Sequence, residues 1–122
     1  MRSMAEEKNF EKRVKKYLEE KGCWLIKYWG GAAYTKAGVP DLLVCCNGKF
    51  LGIELKATNG RPSQLQLYHL RKIKAAGGFG CLLYPRHFEQ FKRFIELVQS
   101  NQVINQSDYT FLYEWDFANV RK

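Results

Sequence analysis

Asp41, Glu54 and Lys56 interrupt two otherwise apolar runs in "GVPDLLVCCNGKFLGIELKAT", Gly38 to Thr58, which are joined by Asn47-Gly48. Asn-Gly between two such runs is a strong signal for a two-residue hairpin turn. With that turn, Cys46 faces Lys49 and Asp41 faces Glu54. Opposed residues of an antiparallel pair carry Cβ atoms about 4.5–5.5 Å apart on one face, and Lys56, two residues past Glu54, shares that face. Leu42, Val44, Leu51, Ile53 and Leu55 fall on the other face as a core layer. Like charges placed across a ladder repel, so the pair calls for a cation. Lys56 offsets part of the repulsion. A hard divalent ion offsets more, because Mg²⁺ binds through one or two carboxylates and completes its shell with water and phosphate oxygens. The same pattern also suits a plainer reading, with Asp41 closing a turn after Pro40 and Glu54 and Lys56 on the solvated face of an edge strand. A slipped turn would dissolve the pairing.

The elements that must position these residues follow from periodicity. Phe10, Val14, Tyr17 and Leu18 recur at helical spacing, which predicts an amphipathic helix from about Glu6 to Lys21 ending at Gly22. "CWLIKYW", Cys23 to Trp29, reads as a strand, and "GGAAYTKAG" as a loop. Two strands follow, about Asp41 to Cys46 and Lys49 to Ala57, and Ser63 is the N-cap of a helix reaching about Ala76 before Gly77-Gly78. "FGCLLYP" reads as a buried strand, and His87 to Ser100 as a last helix carrying Phe88, Phe91, Phe94, Ile95 and Val98. This order predicts an α/β fold, a mixed β-sheet flanked by helices with a right-handed parallel crossover into the last strand. The aromatic tail, "NQVINQSDYTFLYEWDFANVRK", suits either an added edge strand or the cover of a partner's surface.

At 122 residues with 46% hydrophobic residues the chain makes one domain. Its net charge of +8 favours a polyanionic partner, nucleic acid or an acidic membrane surface. No apolar run approaches the roughly 20 residues of a membrane span, and "MRSMAEEKNF" lacks a secretory apolar stretch, so a cytoplasmic protein is expected. Cys23, Cys45, Cys46 and Cys81 lie in apolar runs without C-x-x-C spacing. They read as buried reduced thiols packing as small hydrophobes rather than as zinc ligands.

Three further residues bear on the acid pair. Glu11 borders the first helix's apolar stripe and Glu7 lies on the same side, so either can bring a third carboxylate to the sheet; Gln66, with Leu70 and Ile73, faces the same cluster or forms a satisfied core-edge amide. Pro40-Asp41 followed by Glu54-Leu55-Lys56 resembles the PD-(D/E)XK nuclease signature. With "KAGVPDLL" before the turn, "GIELKATNGRPSQLQ" after it and then "IKAAGG", the chain is similar to the virus-type replication-repair nuclease domain (VRR-NUC), a branch that includes small stand-alone phage and bacterial proteins and Holliday-junction-resolvase-like enzymes. The resemblance covers about residues 7 to 85, leaving the last helix and tail at 86 to 122 outside it, and it implies a restriction-endonuclease-like core.

What the resemblance implies is specific. Asp41 and Glu54 would bind Mg²⁺, with Mn²⁺ substituting, and the Leu55 carbonyl would be a further ligand. Lys56 would orient or activate the attacking water, and Gln66, in an S-x-x-Q pattern with Ser63, would support the site. The helix acid would be Glu11 by the spacing of archaeal resolvases to Gly22, or Glu7 by the phage-type pattern, with Glu11 preferred. The activity would be metal-dependent, structure-selective DNA endonuclease cleavage by a Holliday-junction resolvase, in the host cytoplasm if phage-encoded, with no organic cofactor. Lys27, Lys36 and Arg61 border the expected cleft as phosphate contacts, with Lys12, Lys15 and Lys16 behind them, and Tyr34 can stack on an unpaired base. Symmetric cutting of a four-way junction needs two sites, hence a homodimer whose interface the tail or last helix would supply. The alternatives are a nickase or flap endonuclease using the same site, a non-catalytic nucleic-acid-binding module, and a membrane-surface or protein-interaction domain.

Overall fold

The computed structural model describes residues 2–30 and 33–116, with side chains from Met4 onward. The first helix, α1 (Arg2–Glu20), buries Phe10, Val14 and Leu18 completely. It ends because Gly22 takes φ +79, where the Gly22 N–H bonds to the Glu19 carbonyl and the Cys23 N–H to Leu18 at 3.0 Å, the paired closure of a helix C-terminus. The chain leaves this cap directly into β1 (Trp24–Lys27).

Strands β2 (Leu42–Cys46) and β3 (Lys49–Leu55) form the expected hairpin, with Cys46 opposite Lys49 and Leu42 opposite Ile53. Asn47 at φ 50 and Gly48 at φ 78 give the two left-handed residues that this turn requires. One step beyond the last ladder pair stand Asp41 and Glu54. β1 pairs antiparallel with β2, and β4 (Phe79–Leu83) pairs parallel with β3, giving a four-stranded mixed sheet in the order β1-β2-β3-β4. The β3-to-β4 crossover is α2 (Gln64–Ala75), whose N-cap Ser63 and Gln66 close a capping box.

One sheet face, through Leu42, Val44, Leu51, Ile53, Leu55, Cys81 and Leu83, packs on α1 and on α3 (Phe88–Gln99), which buries Phe91, Phe94, Ile95 and Val98. A short 3-10 turn, Pro85–His87, leads into α3. The other face carries a smaller cluster of Leu70, Leu82, Tyr84, Tyr113 and Trp115. No helix among the described residues is long and apolar enough to cross a membrane.

Two sequence expectations change here. Residues 106–108 and 110–113 of the tail form 3-10 turns rather than an edge strand. Leu112 joins the main core with Phe111 packed against it, Tyr113 and Trp115 fold onto the α2 side of the sheet, and the Trp115 indole donates to the Gly80 carbonyl at 2.9 Å. Tail positions 117–122 lie outside the described residues. Cys45 is exposed, whereas Cys23, Cys46 and Cys81 are buried. The reason is that α2 packs over β3 and β4 and does not reach β1 and β2. Trp24 and Cys45 are therefore exposed, and with Phe50 at the start of β3 they line up across three strands beside exposed Ile26.

Where α2 does pack, it is close. A Cβ at Gly80 would run into the Leu70 carbonyl. Gly80→Ala is expected to lower unfolding free energy by about 1–3 kcal/mol, the usual cost of overpacking, measured by urea denaturation; an unchanged midpoint would show that α2 rides up without cost.

Candidate active site

The site forms where β2 begins and β3 ends. Asp41, brought there by the buried Pro40, accepts the Leu55 N–H on Oδ2 at 2.9 Å. This bond fixes the aspartate to the strand that carries Glu54. Glu54 is 2% exposed. Its Oε2 lies 3.5 Å from Lys56 Nζ, while its Oε1 is buried without a hydrogen-bond partner. Burial first, and the neighbouring Asp41 second, push the Glu54 carboxyl up to about 8 against the pull of Lys56. A carboxyl raised by burial and a specific charged neighbour, beside a pocket, is a functional-site candidate.

The helix acids divide. Glu7 is partly buried, and burial followed by the charge of Asp41 raises its pKa, with Lys56, Lys27 and the Ala57 N–H acting in the opposite direction. It lines a pocket of about 180 Å³ with Met4, Lys56, Ala57, Gly60 and Arg61. Glu11, one turn further along α1, is held by Lys27 Nζ at 2.6 Å, and the same amine lies 3.9 Å from Asp41 Oδ1. Lys27, read from sequence as a phosphate contact, thus sits inside the acid cluster with its side chain 19% exposed. Glu6, which no motif or periodicity singles out, ties α1 to the loop after β3: its carboxylate accepts the Thr58 N–H at 3.1 Å and the Thr58 hydroxyl.

Gln66 is placed differently from the acids. Its Oε1 accepts the Ser63 N–H at 2.8 Å, so that oxygen serves the cap of α2. Arg61 borders the Glu7 and Lys56 pocket. Lys36 and Tyr34 are exposed on the loop before Gly38, with Tyr34 fully so. That loop is tied to α2 by His69 on the Ala37 carbonyl at 3.1 Å and by the packing of Gly38 against Leu65. Lys12 and Lys16 are exposed on α1 and Lys15 is partly buried.

Among the described residues no three acidic, histidine or cysteine side chains form a ready metal cluster. The fit is that of a carboxylate pair with one orphaned, buried oxygen, which suits an ion that takes its remaining ligands from water and phosphate. Asp41 and Glu54 carry hard oxygen donors of the kind such an ion would take, with Glu7 on the neighbouring helix.

A mixed sheet between helices, with Asp41 opposite a Glu54-Leu55-Lys56 run at its end, defines a restriction-endonuclease-like nuclease of the PD-(D/E)XK type. The chain belongs to the family described as archaeal Holliday junction resolvase (Hjc), whose model matches residues 3–79. It is thus a Holliday-junction resolvase nuclease, an endonuclease of a metal-dependent class that acts on branched DNA. No curated protein matches the chain. The family match runs from α1 to the first residue of β4 and holds Glu6, Glu7, Glu11, Asp41 and Glu54.

The raised Glu54 carboxyl has a consequence for metal-free protein. Between about pH 4.5 and 8 the folded state keeps a proton that the unfolded chain releases, so stability is full below the unfolded pKa and falls as pH rises through the folded one. Urea denaturation in a chelator is expected to show a loss on the order of several kcal/mol across that window, and Glu54→Gln is expected to flatten it. A profile identical in the variant would remove Glu54 as its source.

Proposed function

We propose that the chain cuts four-way DNA junctions as a homodimer, using Mg²⁺ held by Asp41, Glu54 and the Leu55 carbonyl, with Glu7 as the helix carboxylate and Mn²⁺ able to substitute. The observation that carries this reading is the orphaned, buried Oε1 of Glu54 beside Asp41, an oxygen donor left without a partner on a carboxyl that burial and Asp41 keep protonated until a cation displaces the proton. A divalent ion there supplies a Lewis acid and a water activated at neutral pH. The other requirements of phosphodiester hydrolysis fall to this chain's side chains.

Lys56 holds an amine at the mouth of the pocket, where it stabilises charge developing on the phosphate oxygens and orients the attacking water. The Leu55 N–H fixes the Asp41 carboxylate against rotation. Lys27 neutralises Glu11 and the far oxygen of Asp41, which leaves Glu7, rather than Glu11, facing Lys56. Gln66 acts at one remove, by capping the helix that follows the site. Lys36 and Arg61 serve as phosphate contacts, and Tyr34 stacks on an unpaired base. Among the described residues no element presents a helix for major-groove readout, and on this reading recognition rests on phosphates and the shape of the branch. Like the VRR-NUC proteins it resembles, the chain is a single nuclease domain.

The dimer surface follows from what is left uncovered. The apolar faces of α3 and of the described tail are spent on the chain's own core. Trp24, at 61% exposure, with Ile26, Cys45 and Phe50 offers an apolar strip on the open sheet face. Exposed patches of this kind mark interfaces.

Cleavage of labelled four-way junction with Mg²⁺ is expected to give paired symmetric cuts. Asp41→Asn should abolish them, Lys56→Ala should slow them by about 10²–10³-fold, and Glu7→Gln should cost more than Glu11→Gln. Wild-type protein that binds the junction and cuts nothing with either ion would sink the assignment of these roles. Trp24→Glu is expected to halve the mass measured by sedimentation equilibrium and to replace paired cuts with single nicks; a monomeric wild type would refute the dimer.

A further inference from the structure

The active-site pocket does not end at Arg61. A second groove of about 260 Å³, lined by Thr58, Asn59, Gly60, Arg61, Tyr84 and Arg86, shares Gly60 and Arg61 with the pocket of Glu7 and Lys56. The two adjoin at these residues, so that together they run from Glu7 and Lys56 across the loop after β3 to the turn after β4. The floor of the second groove is fixed: the Tyr84 hydroxyl donates to the Gly60 carbonyl at 2.9 Å, and Glu6 holds Thr58 from the other side. Its far wall is Arg86, whose guanidinium lies 4.2 Å over the Tyr84 ring and donates through one terminal nitrogen to Glu114 at 2.9 Å.

A guanidinium has five N–H donors in a rigid fork. Ring stacking and a single carboxylate contact set its plane and leave donors over. Arg61 is exposed and has no carboxylate within ion-pair distance among the described residues. Both guanidiniums act on Tyr84, easing the rise in its hydroxyl pKa that burial causes. Two arginines thus converge on one polar groove that opens into the catalytic pocket.

We propose that this groove binds a non-scissile phosphate of the strand being cut, with Arg86 and Arg61 as its two clamps. The ligand class is a nucleic-acid phosphodiester, and the inference rests on the nuclease reading above for which strand occupies the channel. Arg86 lies outside the stretch matched by the family model, so it adds a contact of this chain's own beyond residues 3–79. Glu114, also exposed and 3.4 Å from His87, orients Arg86 and does not replace the phosphate, because a surface pair of this kind contributes little by itself.

The test is binding of full-length protein to a fluorescein-labelled four-way junction, by anisotropy in EDTA at several salt concentrations, with thermal melting of every variant as a fold control. Arg86→Gln and Arg61→Gln are each expected to weaken binding roughly tenfold and to lower the salt slope by about 0.9. Arg86→Lys should retain the slope. Glu114→Gln, which removes the ion pair but keeps the guanidinium, should bind as tightly as wild type or tighter. Equal weakening by Arg86→Gln and Glu114→Gln, or an unchanged slope in both arginine variants, would overturn the clamp. Cleavage with Mg²⁺ on the same substrate separates the two readings: a wild type that cuts while the arginine variants keep the full slope refutes only the groove, and one that cuts nothing yet shows the slope losses refutes only the nuclease assignment.

Discussion

Everything at this site depends on the Glu54 carboxylate being buried beside Asp41 at the end of a rigid ladder. Left alone, that arrangement is unfavourable twice over, through desolvation and through repulsion. The chain answers with geometry rather than distance. Asp41 is held in place by the Leu55 N–H, one residue from Glu54, so the carboxylates cannot move apart without breaking a backbone contact. Lys56 and Lys27 approach from opposite sides of the pair, at 3.5 Å from Glu54 and 3.9 Å from Asp41. Neither reaches Glu54 Oε1. On the proposed reading a divalent ion would displace the proton that burial and Asp41 keep on Glu54 and take up the unpartnered oxygen.

The same constraint explains why α1 is fastened at so many points. Phe10, Val14 and Leu18 seat the helix on the core, but packing alone leaves sliding and rotation of its N-terminal turns weakly restrained. Glu6 on Thr58 and Glu11 on Lys27 bracket Glu7 one residue before it and one turn after it. Three successive acids on α1 therefore have separate duties: a latch to the loop, a carboxylate facing the pocket, and an ion pair with the first strand. The latch also shapes the channel, since the loop it holds, Thr58 to Arg61, is common to the catalytic pocket and the arginine groove.

Much of this was legible in the sequence because it is set by short-range rules. Asn47-Gly48 fixes the turn, the turn fixes the register, and the register sets Asp41 across from Glu54. The Ser63 cap and the Gly22 and Gly77 stops likewise follow from local backbone chemistry. What was not legible depends on which side chains meet across elements. Helical periodicity put Glu7 and Glu11 on one side of α1, yet which one faces the pocket depends on where Lys27 of β1 arrives. Gln66 reads equally as a site residue or a cap, and only the Ser63 N–H shows which partner its oxygen takes. The tail's aromatics carry no strand or helix period, and they fold back because α2 leaves the flank of β4 open to Tyr113 and Trp115. Cys45 is exposed for the complementary reason, that α2 packs mainly over β3 and β4.

The net charge of +8 shows how little a residue count says about a polyanion site. Lys27 and Lys56 are among the cations nearest the acid pair, yet they are already engaged by Glu11, Asp41 and Glu54. Cations that gain most from a phosphate are those whose donors are not already satisfied, because a satisfied pair must be broken before the new contact forms. By that criterion Arg61 counts fully, Arg86 counts for the donors its single carboxylate leaves over, and Lys74, paired with Asp116, counts little. Counting unsatisfied donors rather than charges makes the loop after β3 and the turn after β4 the side of the site from which a DNA backbone is drawn toward Lys56.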